Sequence, residues 1–214
     1  MSRSSGAHST REATAPSPFD RRLILATLNR AKARELVTLL GDVPYTIVPL
    51  CDIPGATLPE ETAETYAGNA LLKAHAAARY GGDLVMADDS GLEVDALGGG
   101  PGVRSARFGG PGLDDAGRTA LLLERLRGVP LERRTARFRC VIAVVSAAEA
   151  PRTVEGLAEG LIAEAPRGTG GFGYDPVFFY PPRGRTFAEL GDAEKSGVSH
   201  RALAVRAART LLAG

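Results

Sequence analysis

Glutamine and tryptophan are missing altogether from this chain of 214 residues, asparagine and cysteine each occur twice, and lysine occurs three times. Each scarcity excludes something. Two cysteines, Cys51 and Cys140, build no disulfide framework and suit a reducing compartment, so a cytoplasmic protein is expected. No apolar run approaches the ~20 residues that span a bilayer. The opening segment, MSRSSGAHSTREATAPSPFD, lacks the apolar centre of a signal peptide, and its Ser, Ala, Thr and Pro content predicts a disordered tail over residues 1–20. A dominant charge is lacking too. With 26 basic and 25 acidic side chains the net charge is +1, which argues for neither a nucleic-acid nor a membrane surface.

What is present is a chain apolar enough, at 44%, to bury a substantial core, with residues 21–214 expected to form a single domain. Its cations are almost all arginine. Lys32, Lys73 and Lys195 are therefore candidate sites that need a compact ammonium in place of a planar fork.

RLILAT (22–27) reads as a buried strand, followed by a helix over 31–40 that stops at Gly41. YTIVPL is a second strand, and TYAGNALLKAHAAARYG has helical apolar spacing closed by Gly81-Gly82. LVMA predicts a third strand with Asp88-Asp89 at its C-terminal end. Residues 114–127 form a helix with Asp at its start and Arg at its end. TARFRCVIAVVSA and TVEGLAEGLIAEA are two long β-like runs that read as an antiparallel hairpin. A last helix follows Ser199, a plausible N-cap. Strands mixed with helices, and one long hairpin, predict an α/β fold with a mixed sheet.

Two acidic pairs stand out. Asp88-Asp89 after an apolar strand and Glu60-Glu61 before a helix can supply oxygen ligands to one metal, and carboxylates without a Cys or His cluster suit Mg²⁺. A solvated turn and a helix-favouring acidic start are the plainer alternatives. Asn29, Arg30 and Lys32 lie between the first strand and its helix, where backbone N–H groups favour phosphate. Asn69 and Lys73, four residues apart, share a helix face. The glycines at 98–100 are expected to turn the chain back over the site.

The segments LATLNRAKARE, EETAETYAGNALLKA, ADDSGLEVDALGGGPGVRSARF, GTGGFGYDPVF and EKSGVSHR resemble, in order and spacing, the motifs of the inosine triphosphate pyrophosphatases, the Ham1-like nucleotide hydrolases. The resemblance covers about residues 22–213. It implies an elongated α/β fold with a mixed sheet flanked by helices, two lobes with the active-site cleft between them, and a homodimer. It also implies Mg²⁺-dependent cleavage of purine triphosphates such as ITP, dITP and XTP to the monophosphate and pyrophosphate. By motif, Thr27, Leu28, Asn29, Arg30, Ala31 and Lys32 match the phosphate loop, and Asp89 the catalytic base and metal ligand. Glu60 matches the other metal ligand and Ser90 a substrate contact. Phe172, Gly173, Tyr174 and Asp175 match the nucleoside loop, Lys195 a phosphate or substrate contact, and His200-Arg201 the base readers. Lys73 is a further candidate for neutralising charge on the phosphates. Leu28 stands where the family usually has glycine, and a left-handed backbone there would be strained. A non-catalytic nucleotide-binding module and a pyrophosphatase for pyrimidine or modified nucleotides are the alternative readings.

Overall fold

In the computed structural model the described residues are 21–212. The expected tail over 1–20 lies outside them. All seven strands join one sheet in the order β2-β1-β3-β4-β5-β6-β7. β1 (Arg22–Leu25) pairs in parallel with β2 (Thr46–Pro49) and with β3 (Leu84–Val94). The rest of the sheet is antiparallel: β3 with β4 (Thr135–Ser146), β4 with β5 (Arg152–Ile162), then β6 (Phe178–Tyr180) and β7 (Arg185–Thr186). The expected long hairpin is β4–β5, registered from Thr135 opposite Leu161 to Val144 opposite Arg152.

The helices begin where short polar side chains can cap them. Asn29 accepts from Ala31 and Lys32 N–H at the start of α1 (Arg30–Leu40), and Gly41 closes that helix at φ 53°. Thr65 caps α2 (Tyr66–Ala77), and Asp114 caps α3 (Asp115–Arg125) through Gly117 N–H at 2.8 Å. Ser199 does cap the last helix, α5 (His200–Leu212), accepting from Ala202 N–H at 3.1 Å. A short helix, α4 (Asp192–Val198), precedes it; its seven residues are too few to show a period in the sequence.

Two expectations change. The third strand does not stop at Ala87: β3 runs to Val94, so Asp88 and Asp89 lie in mid-strand. The reason is pairing. β4 registers with β3 from Leu84 to Val94, whereas β1 pairs only with Leu84–Met86. Beyond Met86, whose O accepts from Ala26 N–H, β3 has no strand partner on the β1 side; the chain returns to that edge only at Leu92 and Val94, which donate to Ser105 Oγ and Gly100 O, and the two acids sit beside the gap between. Gly98, Gly99 and Gly100 do not cover this gap. They line a separate depression with Tyr66, Glu93 and Arg139, and the 3-10 turn Gly102–Arg107 is the segment that folds back along β3.

Alternation along β3 separates the core into layers. Leu84 and Met86 face α1 and α5, packing with Leu36, Leu40, Val205 and Ala208. Val85 and Ala87 face α2 and its Ala70, Ala74 and Ala77. A third apolar cluster, built from Leu92, Val94, Phe138, Leu122, Phe178 and Phe187, occupies the other end of the long strands. Together these three clusters form the apolar core on the faces of the one sheet. At Gly156 of β5 a Cβ would come within 2.2 Å of His200 O and 2.3 Å of Ala204 N, so the missing side chain lets the first turn of α5 seat directly on the sheet. Among the described residues no helix is long and apolar enough to cross a membrane.

Candidate active site

Because side chains alternate along a strand, Asp88 inherits the α1/α5 face of the sheet and Asp89 the α2 face. Their partners divide accordingly. Asp88 Oδ2 lies 3.3 Å from Lys32 Nζ of α1 and accepts from Arg201 Nε and Nη2 of α5, each at 3.3 Å. Arg201 is only 1% exposed; its Nη1 donates to Glu35 at 2.8 Å and its Nη2 to Ser90 Oγ at 2.9 Å. Burial alone would raise the Asp88 carboxyl, but Lys32, Arg201 and Lys73 hold it far below the usual carboxylate range. Burial likewise opposes the charge on Arg201, and Asp88 and Glu35 more than restore it.

On the other face Asp89 accepts from Lys73 Nζ at 3.1 Å and from Asn69 Nδ2 at 3.2 Å, the pair spaced i, i+4 on α2. Lys73 Nζ also donates to Glu61 at 2.6 Å, so two carboxylates share one ammonium. Burial and the charge of Glu61 push the Asp89 carboxyl up against the pull of Lys73, while Glu61, itself partly buried, is held down by Lys73 and Lys32. The Lys73 ammonium is favoured over its burial by Asp88, Asp89 and Glu61. Lys32 thus acts on both faces, around the open edge of β3.

The loop Phe172–Asp175, expected to bind the nucleoside, forms the far wall. Asp175, almost fully buried, accepts from Lys195 Nζ at 2.6 Å and from Phe172 N–H at 2.9 Å. Burial raises its carboxyl despite Lys195. Gly171, at φ 71°, has no room for a side chain, because a Cβ would meet Asp175 Oδ2 at 2.0 Å. The Phe172 ring has Lys195 Nζ 5.2 Å and the Arg201 guanidinium 5.5 Å from its centroid, within cation–π range. Tyr174 donates its hydroxyl to Ser105 O at 2.9 Å. His200 stacks on Phe138 with centroids 4.6 Å apart, and burial, with Arg201 and Lys195 nearby, keeps its imidazole neutral well below pH 6.5. Its Nδ1 and Asp88 Oδ1 are buried without a hydrogen-bond partner among the described residues.

A cleft gathers many of the expected residues: Asn29, Lys32, Ser90, Lys195, His200, Arg201 and the Phe172–Asp175 loop. Asp89 and Lys73 stand beside it across the strand. Other members of the phosphate loop point elsewhere. Thr27 is buried and accepts from Asn29 N–H, and Ala31 lines a neighbouring depression. Leu28 and Arg30 face a third depression, with Arg30 bonded to Asp52 and to Cys51 O. Leu28 is unstrained, since no non-glycine residue described has a positive φ, and it is 46% exposed. Glu60 is exposed; the acid joined to Asp89 through Lys73 is its neighbour Glu61. Glu35, Ser105, Asp115 and Arg118 were not legible as site residues. Glu35 alone left a signal, standing i, i+3 from Lys32 on α1.

All three lysines meet carboxylates here, Lys32 on Asp88, Lys73 on Asp89 and Glu61, and Lys195 on Asp175. The model of the Ham1 family matches residues 23–211. A dITP/XTP pyrophosphatase of Desulforamulus reducens is 50% identical over 191 residues, 89% of this chain and 95% of that protein. One from Bacillus subtilis is 46% identical over 88% of this chain and 96% of its own. A HAM1 protein structure from Coxiella burnetii superposes with a TM-score of 0.81 at 40% identity, covering 90% of this chain and 98% of that one. With the family model matched over residues 23–211 and relatives this similar over most of its length, the chain belongs to the Ham1 family.

Proposed function

We propose that this chain hydrolyses non-standard purine nucleoside triphosphates, dITP, ITP and XTP, to the monophosphate and pyrophosphate. The observation that carries this reading is the back-to-back placement of Asp88 and Asp89. One acid anchors Arg201 in the cleft, and the next holds a base-like carboxylate on the opposite face, so recognition and chemistry adjoin without sharing a side chain. Its relatives' name, dITP/XTP pyrophosphatase, points the same way.

Arg201 has donors only, and His200, kept neutral, has one donor and one acceptor. A 6-oxo purine stacked on Phe172 finds donors at that end, whereas the 6-amino group of adenine meets donor with donor. Asp89 takes the proton of the attacking water; its raised pKa and its bonds to Asn69 and Lys73 suit a positioned general base. Attack at the α-phosphorus expels pyrophosphate, whose charge Lys32 and Lys73 are placed to meet.

The donor set fits Mg²⁺. Asp89 and the Glu60–Glu61 strap offer only carboxylate oxygen. Lys73 and Arg107 pin the strap through Glu61, and Glu60 beside it, with Asp89, would hold the ion. Bound there, Mg²⁺ would neutralise phosphate charge and acidify a bound water. Pyrophosphate release from ITP, XTP, ATP and dTTP with Mg²⁺ is the test. Release from ITP and XTP with little from ATP or dTTP is expected; a preference for dTTP, or binding without release, would replace this reading.

A further inference from the structure

Four cations line the cleft, and three of them have close carboxylate partners: Lys32 on Asp88, Lys195 on Asp175, and Arg201 on Asp88 and Glu35. The fourth is Arg118 of α3. Among the described residues its one ion pair is a loose 3.7 Å contact with Asp115, and its buried Nε has no hydrogen-bond partner. A buried donor without an acceptor is costly, so such a group lining a cleft implies an acceptor delivered by the ligand.

The position of Arg118 narrows which acceptor. α3 grips the nucleoside loop at Gly173, where Asp115 Oδ2 accepts the Gly173 N–H at 2.8 Å and Thr119 Oγ1 donates to Gly173 O at 3.5 Å. Gly173 turns there at φ 61°. On one side of this turn Phe172 leans over Lys195 and Arg201; on the other, Tyr174 lines the same cleft as Arg118. The loop therefore spans the cleft from Arg201 to Arg118.

We propose that Arg118 reads the 2-position of the purine, and that Asp115 positions the loop carrying the stacking ring. This rests on the reading above, in which the base lies on Phe172 with its 6-oxo edge toward Arg201. The 2-position belongs to the same six-membered ring and is turned to the wall that Arg118 occupies. A guanidinium offers donors and no acceptor. The 2-oxo group of xanthine satisfies the free Nε–H, the bare C2–H of hypoxanthine leaves it as it is, and the 2-amino group of guanine sets donor against donor. Arg118 thus favours XTP over ITP and ITP over GTP, while Arg201 deals with adenine.

The test is pyrophosphate release from XTP, ITP and GTP by the full chain and by Arg118→Met, which keeps an unbranched apolar stem without donors. The XTP:ITP ratio of kcat/KM is expected to fall about ten-fold, the equivalent of about 1.4 kcal/mol, and the GTP:ITP ratio to rise. Proportional loss on XTP and ITP, or no change in either, overturns the assignment. If Arg118→Met does not fold, Arg118→Leu decides, because it too carries no donor; an unchanged XTP:ITP ratio there counts against Arg118. Asp115→Ala is expected to raise KM for XTP and ITP alike with little change in kcat, and Asp115→Asn, which retains an acceptor for Gly173, to restore it. Equal defects in the Ala and Asn variants would remove the positioning role. Calorimetric affinity for XMP against IMP reports on Arg118 without turnover. An inactive but XMP-selective protein therefore rejects the pyrophosphatase reading and keeps this one, whereas an active protein with an unmoved ratio does the reverse.

Discussion

Asp88 and Asp89 are neighbours in the chain with opposite electrostatic surroundings. Asp88 is bound between Lys32 and Arg201 and is held ionised, whereas Asp89 shares Lys73 with Glu61 and is pushed toward protonation. The two isosteric substitutions should separate accordingly. Asp89→Asn is expected to lower ITP turnover by ~10²–10⁴, the usual cost of losing a general base, with its urea unfolding curve little changed. Asp88→Asn removes the counter-charge of two buried cations and is expected to cost about 3–5 kcal/mol of stability, with a smaller effect on the chemical step. A variant pair that lost turnover equally at unchanged stability would contradict this division. Scarcity made the lysines readable, since three ammonium groups in an arginine-rich chain all pair with site carboxylates. Arg118 and Arg201 carried no such signal, because arginine is the ordinary cation of this sequence.

Among the elements, the difference in length between β1 and β3 creates the site. β1 has four residues and β3 eleven, so β3 continues past its parallel neighbour and leaves an edge beside which Lys32 of α1 meets Asp88. Apolar periodicity located β1, α1, α2, α3 and the β4–β5 hairpin, but it placed the end of β3 at the acids. Polarity ends a strand only when no partner compensates it; here β4 pairs along the whole length and cations from α1, α2 and α5 neutralise the acids. The seat of α5 is equally a matter of contact. Gly156→Ala would place a methyl within 2.2 Å of His200 O, and α5 would have to lift, carrying His200 and Arg201 with it. A loss of about 1–3 kcal/mol in stability is expected, as for other overpacked sites, together with weakened ITP turnover. A Gly156→Ala protein with the unfolding midpoint and kcat/KM of the parent would show that the seat has slack.

Across the whole molecule, several polar groups are buried, and one of these should tie stability to pH. Folded His200 stays neutral well below pH 6.5 because burial and the nearby Arg201 and Lys195 oppose its charging, although Asp88 favours it. In the unfolded chain the same imidazole titrates near its ordinary value of about 6.5. Below that pH the unfolded state binds a proton that the folded state does not. Stability should then fall by up to about 1.4 kcal/mol per pH unit, until the folded pKa is reached, and this contribution should be flat above pH ~7. His200→Phe, which keeps a ring against Phe138, should lose less stability than the parent between about pH 7.5 and pH 5.5 in urea titrations. Equal losses would show that His200 does not set this dependence. By itself the sequence determined the α/β class, the helix starts and stops, the hairpin and the residue types needed around a phosphate, because capping, periodicity and charge chemistry act over a few residues. Only the tertiary structure decided which acid faces which cation, that Glu61 shares Lys73 with Asp89, and that Asp115 and Arg118 wall the cleft. Those choices depend on where β1 ends beside β3 and how closely α3 and α5 approach the sheet, and residues far apart in the chain make such contacts only once it has folded.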